Sequence, residues 1–459
     1  MGQAEVVNRA PAAAADRLSR EDAEILRLER GPIRGHVAKI IVLERSPDRA
    51  LPTIEELREH FAGGLGEAAR LRQRLAPVPL HLAAPVWIDD PEFDIARHIR
   101  LVPTPEPVGH SGLEEIVGRL MGERLDRARP LWQLDVIERI DEDTMGLVLR
   151  LHHCLADGAT SMRFCGCLLW SEDPAAVSLA AGPWTPAPAP SGASLLGQAL
   201  AERWSGRRAV AGNGSTASSA GRLSRQAIVR ELRPRAAVTP LAARAGSSRV
   251  VSLASVPLAP VRAGGKRIDP AVTVNDVVLA IVAGGVREWL ECGHGPADGI
   301  RVKIPVSLHE PCESPSVANH DSYLFVDLPV AEPDVGRRTL AIHRETAERK
   351  LDHDAETLYR LGAHPFIARW AMSPRVFTFN VSNVRGPASD LYVLGAHVRE
   401  MYSIAEIAQE HALRVAVVSA SGQLSFGLCA DADAVKDIGV IADGMRRAAD
   451  ELIELGRGA

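Results

Sequence analysis

The chain has 459 residues, 46% of them hydrophobic and 24% charged, with a formal net charge of −5. That length allows two cores of ordinary size, and the near-balanced charge leaves no broad basic footprint, so no nucleic-acid partner is expected. The start, "MGQAEVVNRAPAAAADRLSRED", has no basic stretch leading into an apolar core, and Gly2 lacks the Ser or Thr that myristoylation needs. No run of about 18 apolar residues occurs; "VVLAIVAGGV" comes nearest. Six cysteines without a paired framework fit a reducing compartment. The expectation is a cytoplasmic protein, soluble or peripheral at a membrane surface.

Residues 1–16 are Ala-rich and aperiodic, which predicts a loose tail. "TIEE" reads as a capping box opening a helix at Thr53, with Glu56 reaching back. "LEEIVGRLMGERLD" places Leu113, Ile116, Val117, Leu120, Met121 and Leu125 on one helical stripe. The period then changes: in "MGLVLRLH" Leu147, Leu149, Leu151 and His153 share one face of a strand and Val148, Arg150 and His152 the other. "TSMRFCGCLLW" follows as a helix, closing an N-terminal domain over residues 17–181. Residues 182–248 read as linker or crossover, with "GPWTPAPAPSGAS" Pro-rich, "AGNGSTASSAG" Gly/Ser-rich and a short basic helix between them. Strand-like and helical stretches resume over 249–459. The last, "KDIGVIADGMRRAADELIEL", sets Ile438, Ile441, Met445, Leu452 and Leu455 on an apolar side. The pattern predicts two α/β domains joined by a long crossover.

The stretch "LRLHHCLADGAT" puts two histidines at the end of that strand, just before a helix. Imidazole titrates nearest neutrality, so it can take a proton at pH 7 and return it. Strand alternation sends His152 and His153 opposite ways, so only one of them serves as a base. Asp157 and Gly158 sit at the loop-to-helix junction, where Asp caps a helix or meets a cation and Gly relaxes the backbone. No G-x-S-x-G elbow, Walker loop, G-x-G-x-x-G fingerprint or H-E-x-x-H pair is present. The proton is therefore expected to come from a bound hydroxyl, not from a protein nucleophile. A metal site using His152, His153, Cys154, Cys165 and Cys167 lacks a C-x-x-C pair, and none is expected.

"HHCLADG" matches the H-H-x-x-x-D-G motif of the superfamily that includes chloramphenicol acetyltransferase and peptide-synthetase condensation domains. Together with "PLWQLDVIE", "VNDVVLA", "SNVRGP" and "PVWIDDPEFDIARHIR", the chain resembles the bacterial wax ester synthase/diacylglycerol acyltransferase family from about Leu18 to Leu455. The resemblance implies two chloramphenicol-acetyltransferase-like α/β domains with an active-site tunnel between them. His153 would be the general base, His152 a supporting residue, and Asp157 and Gly158 the architecture of the loop. Acyl-CoA would serve as co-substrate, with no other cofactor. The acceptor would be diacylglycerol or a long-chain alcohol, attacking the thioester directly to give triacylglycerol or wax ester.

The remaining motifs carry a structural reading beside a substrate-lining one. Pro130, Leu131 and Trp132 are either core packing or site wall; Asn275 and Asp276 open a helix, where capping is the ordinary role; Ser382, Asn383 and Gly386 lie in a turn or donate to substrate. Departures from the family pattern are Arg20 and Ile25 near the start, Ala318 before Asn319, and Arg385 for a proline in "SNVRGP". They bear on acceptor preference rather than on the base. Two rivals remain: a condensation-like transferase using carrier- or CoA-bound acyl groups, and an inactive lipid-binding homologue. The segment 195–208, with Arg203, Trp204, Arg207 and Arg208, is a candidate contact for a membrane or lipid-droplet surface.

Overall fold

A computed structural model describes residues 16–46, 49–104, 106–176, 182–212, 230–237, 239–296, 298–307, 321–351 and 365–458. Of the loose-tail stretch only Asp16 is described; its carbonyl accepts the Trp87 N–H at 2.8 Å. Ala318 and Asn319 lie outside the described residues.

Strands come in chain order as β1 (His36–Glu44), β2 (Gln73–Ala76), β3 (Val86–Asp89), β4 (Ile99–Leu101), β5 (Trp132–Ile137), β6 (Thr144–His152) and β7 (Arg249–Pro257). They continue with β8 (Arg301–Ser307), β9 (Asp321–Asp327), β10 (Phe379–Arg385), β11 (Tyr392–Val393), β12 (Ala396–Ala405), β13 (Leu413–Ala420) and β14 (Gln423–Asp431). Two six-stranded sheets result, ordered β11-β12-β1-β6-β5-β4 and β7-β14-β13-β10-β8-β9, beside a β2-β3 ribbon. The first sheet is packed by the helices Ile54–Gly64 and Gly158–Leu168 on one side and Gly109–Gly122 on the other. The second packs one face on the helices Val274–Trp289 and Ile438–Arg457.

The expected elements are present, with informative differences. Thr53 and Glu56 form the reciprocal capping box. The amphipathic helix starts earlier and stops at Gly122, where Arg34 takes the terminal carbonyl at 2.6 Å. In the last helix Ile438, Ile441, Met445 and Leu452 are buried, but Leu455 is exposed. "VNDVVLAIVAGGVREWL" is buried nearly all round, sandwiched between its sheet and neighbouring helices.

Strands β11 and β12 belong to the first sheet, although the chain reaches them late. β12 pairs with β1 over Val37↔Ala405 to Glu44↔His397. Residues 249–459 therefore supply both sheets, and a boundary at 249 separates chain segments rather than sheets. The exchange ties the two halves together beside the end of β6.

Candidate active site

Strand β6 ends at His152, not at His153. The His152 carbonyl accepts the Leu155 and Ala156 N–H groups, at 2.8 and 3.2 Å, and this turns the chain. The His153 N–H still reaches the Gly35 carbonyl at 2.8 Å, so the turn stays pinned to the start of β1.

The two rings live in different surroundings. His152 is buried, and its Nδ1 accepts the Cys154 N–H at 3.1 Å. That assigns the proton to Nε2, which donates to Glu29 Oε2 at 3.3 Å. Arg124 and Arg127 hold the same carboxylate. Burial works to raise the Glu29 pKa, but hydrogen bonds from His152 and Arg127 outweigh it and keep the carboxyl below its usual range. His152 is thus fully engaged as scaffold.

His153 is only half-buried. Its Nδ1 is buried with no partner among the described residues, leaving Nε2 as the nitrogen that can meet a reacting group. Burial and the nearby charge of Arg414 push its pKa down to about 4. At pH 7 the ring is neutral, as a general base must be.

Asp157 is the N-cap of the helix Gly158–Leu168, its Oδ1 accepting the Thr160 N–H at 2.6 Å. Of the two roles open to it, capping is the one the geometry gives. A Cβ on Gly158 would stand 3.0 Å from Val384 Cγ2, and one on Gly386 3.1 Å from Met162 Cε. The turn after His153 therefore faces the "SNVRGP" strand, β10, across the seam between the sheets. Val384, Ala416, Val418 and Ala420 of the second sheet share an apolar cluster with Cys154, Leu155 and Met162 of the first half.

The other motif residues fall into place around that seam. Pro130, Leu131 and Trp132 are buried. The Leu131 carbonyl accepts the His152 N–H at 2.9 Å, and Trp132 Nε1 donates to the Leu71 carbonyl at 2.8 Å. Trp132 also stacks on His98 with ring centroids 4.6 Å apart, so the block braces the strand end. Asp276 is a buried capping-box residue taking hydrogen bonds from Thr273, His343 and Thr346. Asn275 Oδ1 accepts from Asn383 Nδ2 at 2.8 Å, joining two motifs that lie 108 residues apart. Alternation along β10 puts Asn383 with Val381 on the helix-packed face and Ser382 with Val384 on the seam face. Ser382 is therefore the member of that motif directed toward His153's side. Arg385 is exposed.

Several contributors were not singled out by sequence. Glu29 lies 123 residues before His152, and nothing local marks it. Gly35 has φ +71°, and a Cβ there would sit 2.9 Å from His152 Nε2. Lys39 is buried on the Leu149 face of β1, its Nζ donating to Ser403 Oγ at 3.0 Å. Burial lowers its pKa to about 8. Arg414, on β13, lies close enough to His153 to lower its pKa.

Residues 18–278 match the model of the wax ester synthase/diacylglycerol acyltransferase catalytic domain, and residues 317–453 that of the family's C-terminal domain. The chain belongs to the wax ester synthase/diacylglycerol acyltransferase family. A putative diacylglycerol O-acyltransferase of Mycobacterium tuberculosis strain CDC 1551 is 32% identical, over 96% of this chain and 98% of that one. A probable diacylglycerol O-acyltransferase of the same strain is 30% identical, over 95% of each. The solved wax ester synthase/diacylglycerol acyltransferase of Marinobacter aquaeolei VT8 superposes with a TM-score of 0.70 at 22% identity, covering 96% of this chain and 100% of that one. A starter condensation domain of rhizomide synthetase shares the fold at a TM-score of 0.59 and 12% identity, over 97% and 95% of the two chains. As a member of this family the protein is an acyltransferase of the two-domain chloramphenicol-acetyltransferase-like fold. Neither rival reading, condensation-like or inactive, is favoured.

Proposed function

We propose that this acyltransferase moves a long-chain acyl group from acyl-CoA to diacylglycerol or a fatty alcohol, with His153 as general base. The observation that carries the reading is the contrast within one dipeptide: His152 is consumed by Glu29 and the Cys154 amide, while His153 is neutral, half-buried and within the field of Arg414 from the second sheet. His153 Nε2 takes the acceptor's hydroxyl proton as the oxygen forms a bond to the thioester carbonyl carbon. The tetrahedral intermediate collapses, the C–S bond breaks, and the imidazolium returns its proton to the CoA thiolate. No acyl-enzyme is needed, because holding both substrates in one seam supplies the orientation that a bimolecular reaction lacks. The neutral starting ring suits this cycle, since a ring already protonated could not accept.

The acceptor is a lipid, which brings the segment 195–208 into the reading. The helix Gly192–Gly212 packs Leu195 and Ala199 against Val78, Val86 and Ile88, so it is anchored to the first half rather than a free linker. It leaves Leu200 and Trp204 outward at 45% and 68% exposure, near a turn whose Leu80 is 78% exposed. Exposed apolar side chains beside Arg203 suit peripheral contact with an anionic lipid surface. Among the described residues no helix is long and apolar enough to cross a membrane.

Purified protein supplied with palmitoyl-CoA and either dioleoylglycerol or hexadecanol should release CoA and form ester, resolved by thin-layer chromatography. Absence of both products would overturn the reading. Replacing Leu80, Leu200 and Trp204 by Ser should reduce sedimentation with phosphatidylglycerol vesicles; unchanged sedimentation would remove the surface assignment.

A further inference from the structure

Lys303 on β8, Asn380 on β10 and Arg414 on β13 are in register across the second sheet. Their neighbours Val302, Phe379, Leu413 and Val415 enter the helix-packed core, so alternation sends these three to the opposite face, the one shared with Ser382 and Val384. Neighbouring strands are about 4.8 Å apart, which puts the two cationic residues' backbones about 10 Å apart along one row. All three residues are half-buried.

Neither cation has a carboxylate partner among the described residues. Lys303 Nζ donates to Met372 Sδ at 3.2 Å and stands 4.1 Å from the centroid of the Tyr323 ring. Arg414 Nη1 donates to the Glu406 carbonyl at 3.0 Å, and its Nε is buried without a partner among the described residues. Arg249 takes Oε1 of the Glu406 carboxylate, whose charge still reaches Arg414 without an ion-pair contact. Lys303 is held by sulfur and ring and not by an acid, and Arg414 has Glu406 nearby but not paired to it, so the outer end of the row is where an anion is missing. The inner end of the row is electrostatically linked to His153, whose proton affinity Arg414 lowers.

We propose that this row binds the donor's phosphates: Lys303, at the outer end, takes a phosphate of the acyl-CoA, and Arg414 draws the thioester arm inward to His153. The inference rests on the acyl-CoA reading above. A CoA thioester carries its pyrophosphate and 3′-phosphate at one end and its acyl carbon at the other, which matches a row of positive charge ending at a base. The Asn380 amide between the cations has both a donor and an acceptor for the amides of the pantetheine arm.

The test compares two donors in wild type and Lys303→Met, which keeps the side-chain volume against Tyr323. With palmitoyl-CoA, the variant's KM should rise about tenfold while kcat stays within about twofold. With palmitoyl-pantetheine, which has no pyrophosphate or 3′-phosphate, wild type and variant should be indistinguishable. Lys303→Arg should restore most of the CoA affinity. An unchanged KM for palmitoyl-CoA, or an equal loss on both donors, would overturn the assignment while leaving the acyltransferase reading intact. If wild type turns over neither donor, the acyltransferase reading fails; calorimetric binding of adenosine 3′,5′-diphosphate to wild type but not to Lys303→Met then still upholds the row, and equal binding overturns it. A variant that loses phosphatidylglycerol vesicles but keeps the diphosphate would also overturn it, assigning the row to a lipid headgroup.

Discussion

His152 and His153 share a peptide bond and little else. One ring is buried, with both nitrogens matched to a backbone N–H and a carboxylate, and a pair of arginines locks that carboxylate. The other stands beside the seam between two sheets, with Nδ1 unmatched among the described residues and its charge suppressed by burial and Arg414. The difference arises from position: His152 is the last strand residue and inherits the sheet's satisfied environment, while His153 begins the turn. A fully satisfied polar network fixes geometry, and an unsatisfied group beside it is where chemistry becomes available.

That contrast can be broken from either side. The largest effect on stability is expected on the satisfied side. Glu29→Ala strands His152, Arg124 and Arg127 together and should cost about 3 kcal/mol of stability, the arginine heads reaching enough solvent to keep it at the low end for a buried pair. A thermal melt reads this, and an unchanged Tm would deny Glu29 its bracing role. Gly35→Ala forces a side chain into a left-handed conformation and against His152 Nε2. It should cost about 1–3 kcal/mol and lower kcat as well, because the Gly35 carbonyl holds the His153 amide; a loss of stability with full kcat would separate the two histidines more completely than the geometry suggests.

The pH profile sharpens the chemical side. With its pKa near 4, His153 of the free enzyme is deprotonated from pH 6 to 8, so kcat/KM should be flat there and fall about tenfold per unit once pH drops below 4. The same depressed value has a stability consequence. The unfolded chain, with an ordinary histidine pKa near 6.5, binds the proton that the folded ring refuses, so stability is lost as pH falls from about 6.5 to about 4. An acid limb in kcat/KM at the ordinary imidazole value would contradict the proposal that a neutral, half-buried His153 is the base. The smallest effect belongs to the bridge between motifs: Asn383→Ala should cost about 1 kcal/mol in the melt and leave kcat within about twofold, whereas a large loss of kcat would move Asn383 from the scaffold into the site.

Periodicity and capping made much of the fold legible. The capping box at Thr53, the alternation of "MGLVLRLH" and the buried "VNDVVLAIVAGGVREWL" helix all depend on neighbours within a few residues, and all are present. The insertion of β12 between β11 and β1 was not legible, because alternation names a strand's faces but not the sheet it joins. The site divides the same way. His152, His153, Asp157 and Gly158 stand together as one local motif, so their adjacency could be read directly. Glu29, Gly35 and Arg414 reach the histidines only through folding, and the Asn275–Asn383 bridge links two motifs that spacing could list but not connect.

The most direct measurement is a paired one: kcat for ester formation and Tm, for His152→Gln and His153→Gln under identical conditions. The division of labour derived from their surroundings requires His153→Gln to lose about a thousandfold in kcat with Tm almost unmoved, and His152→Gln to lower Tm while keeping measurable turnover. His153→Gln with kcat near wild type would contradict it.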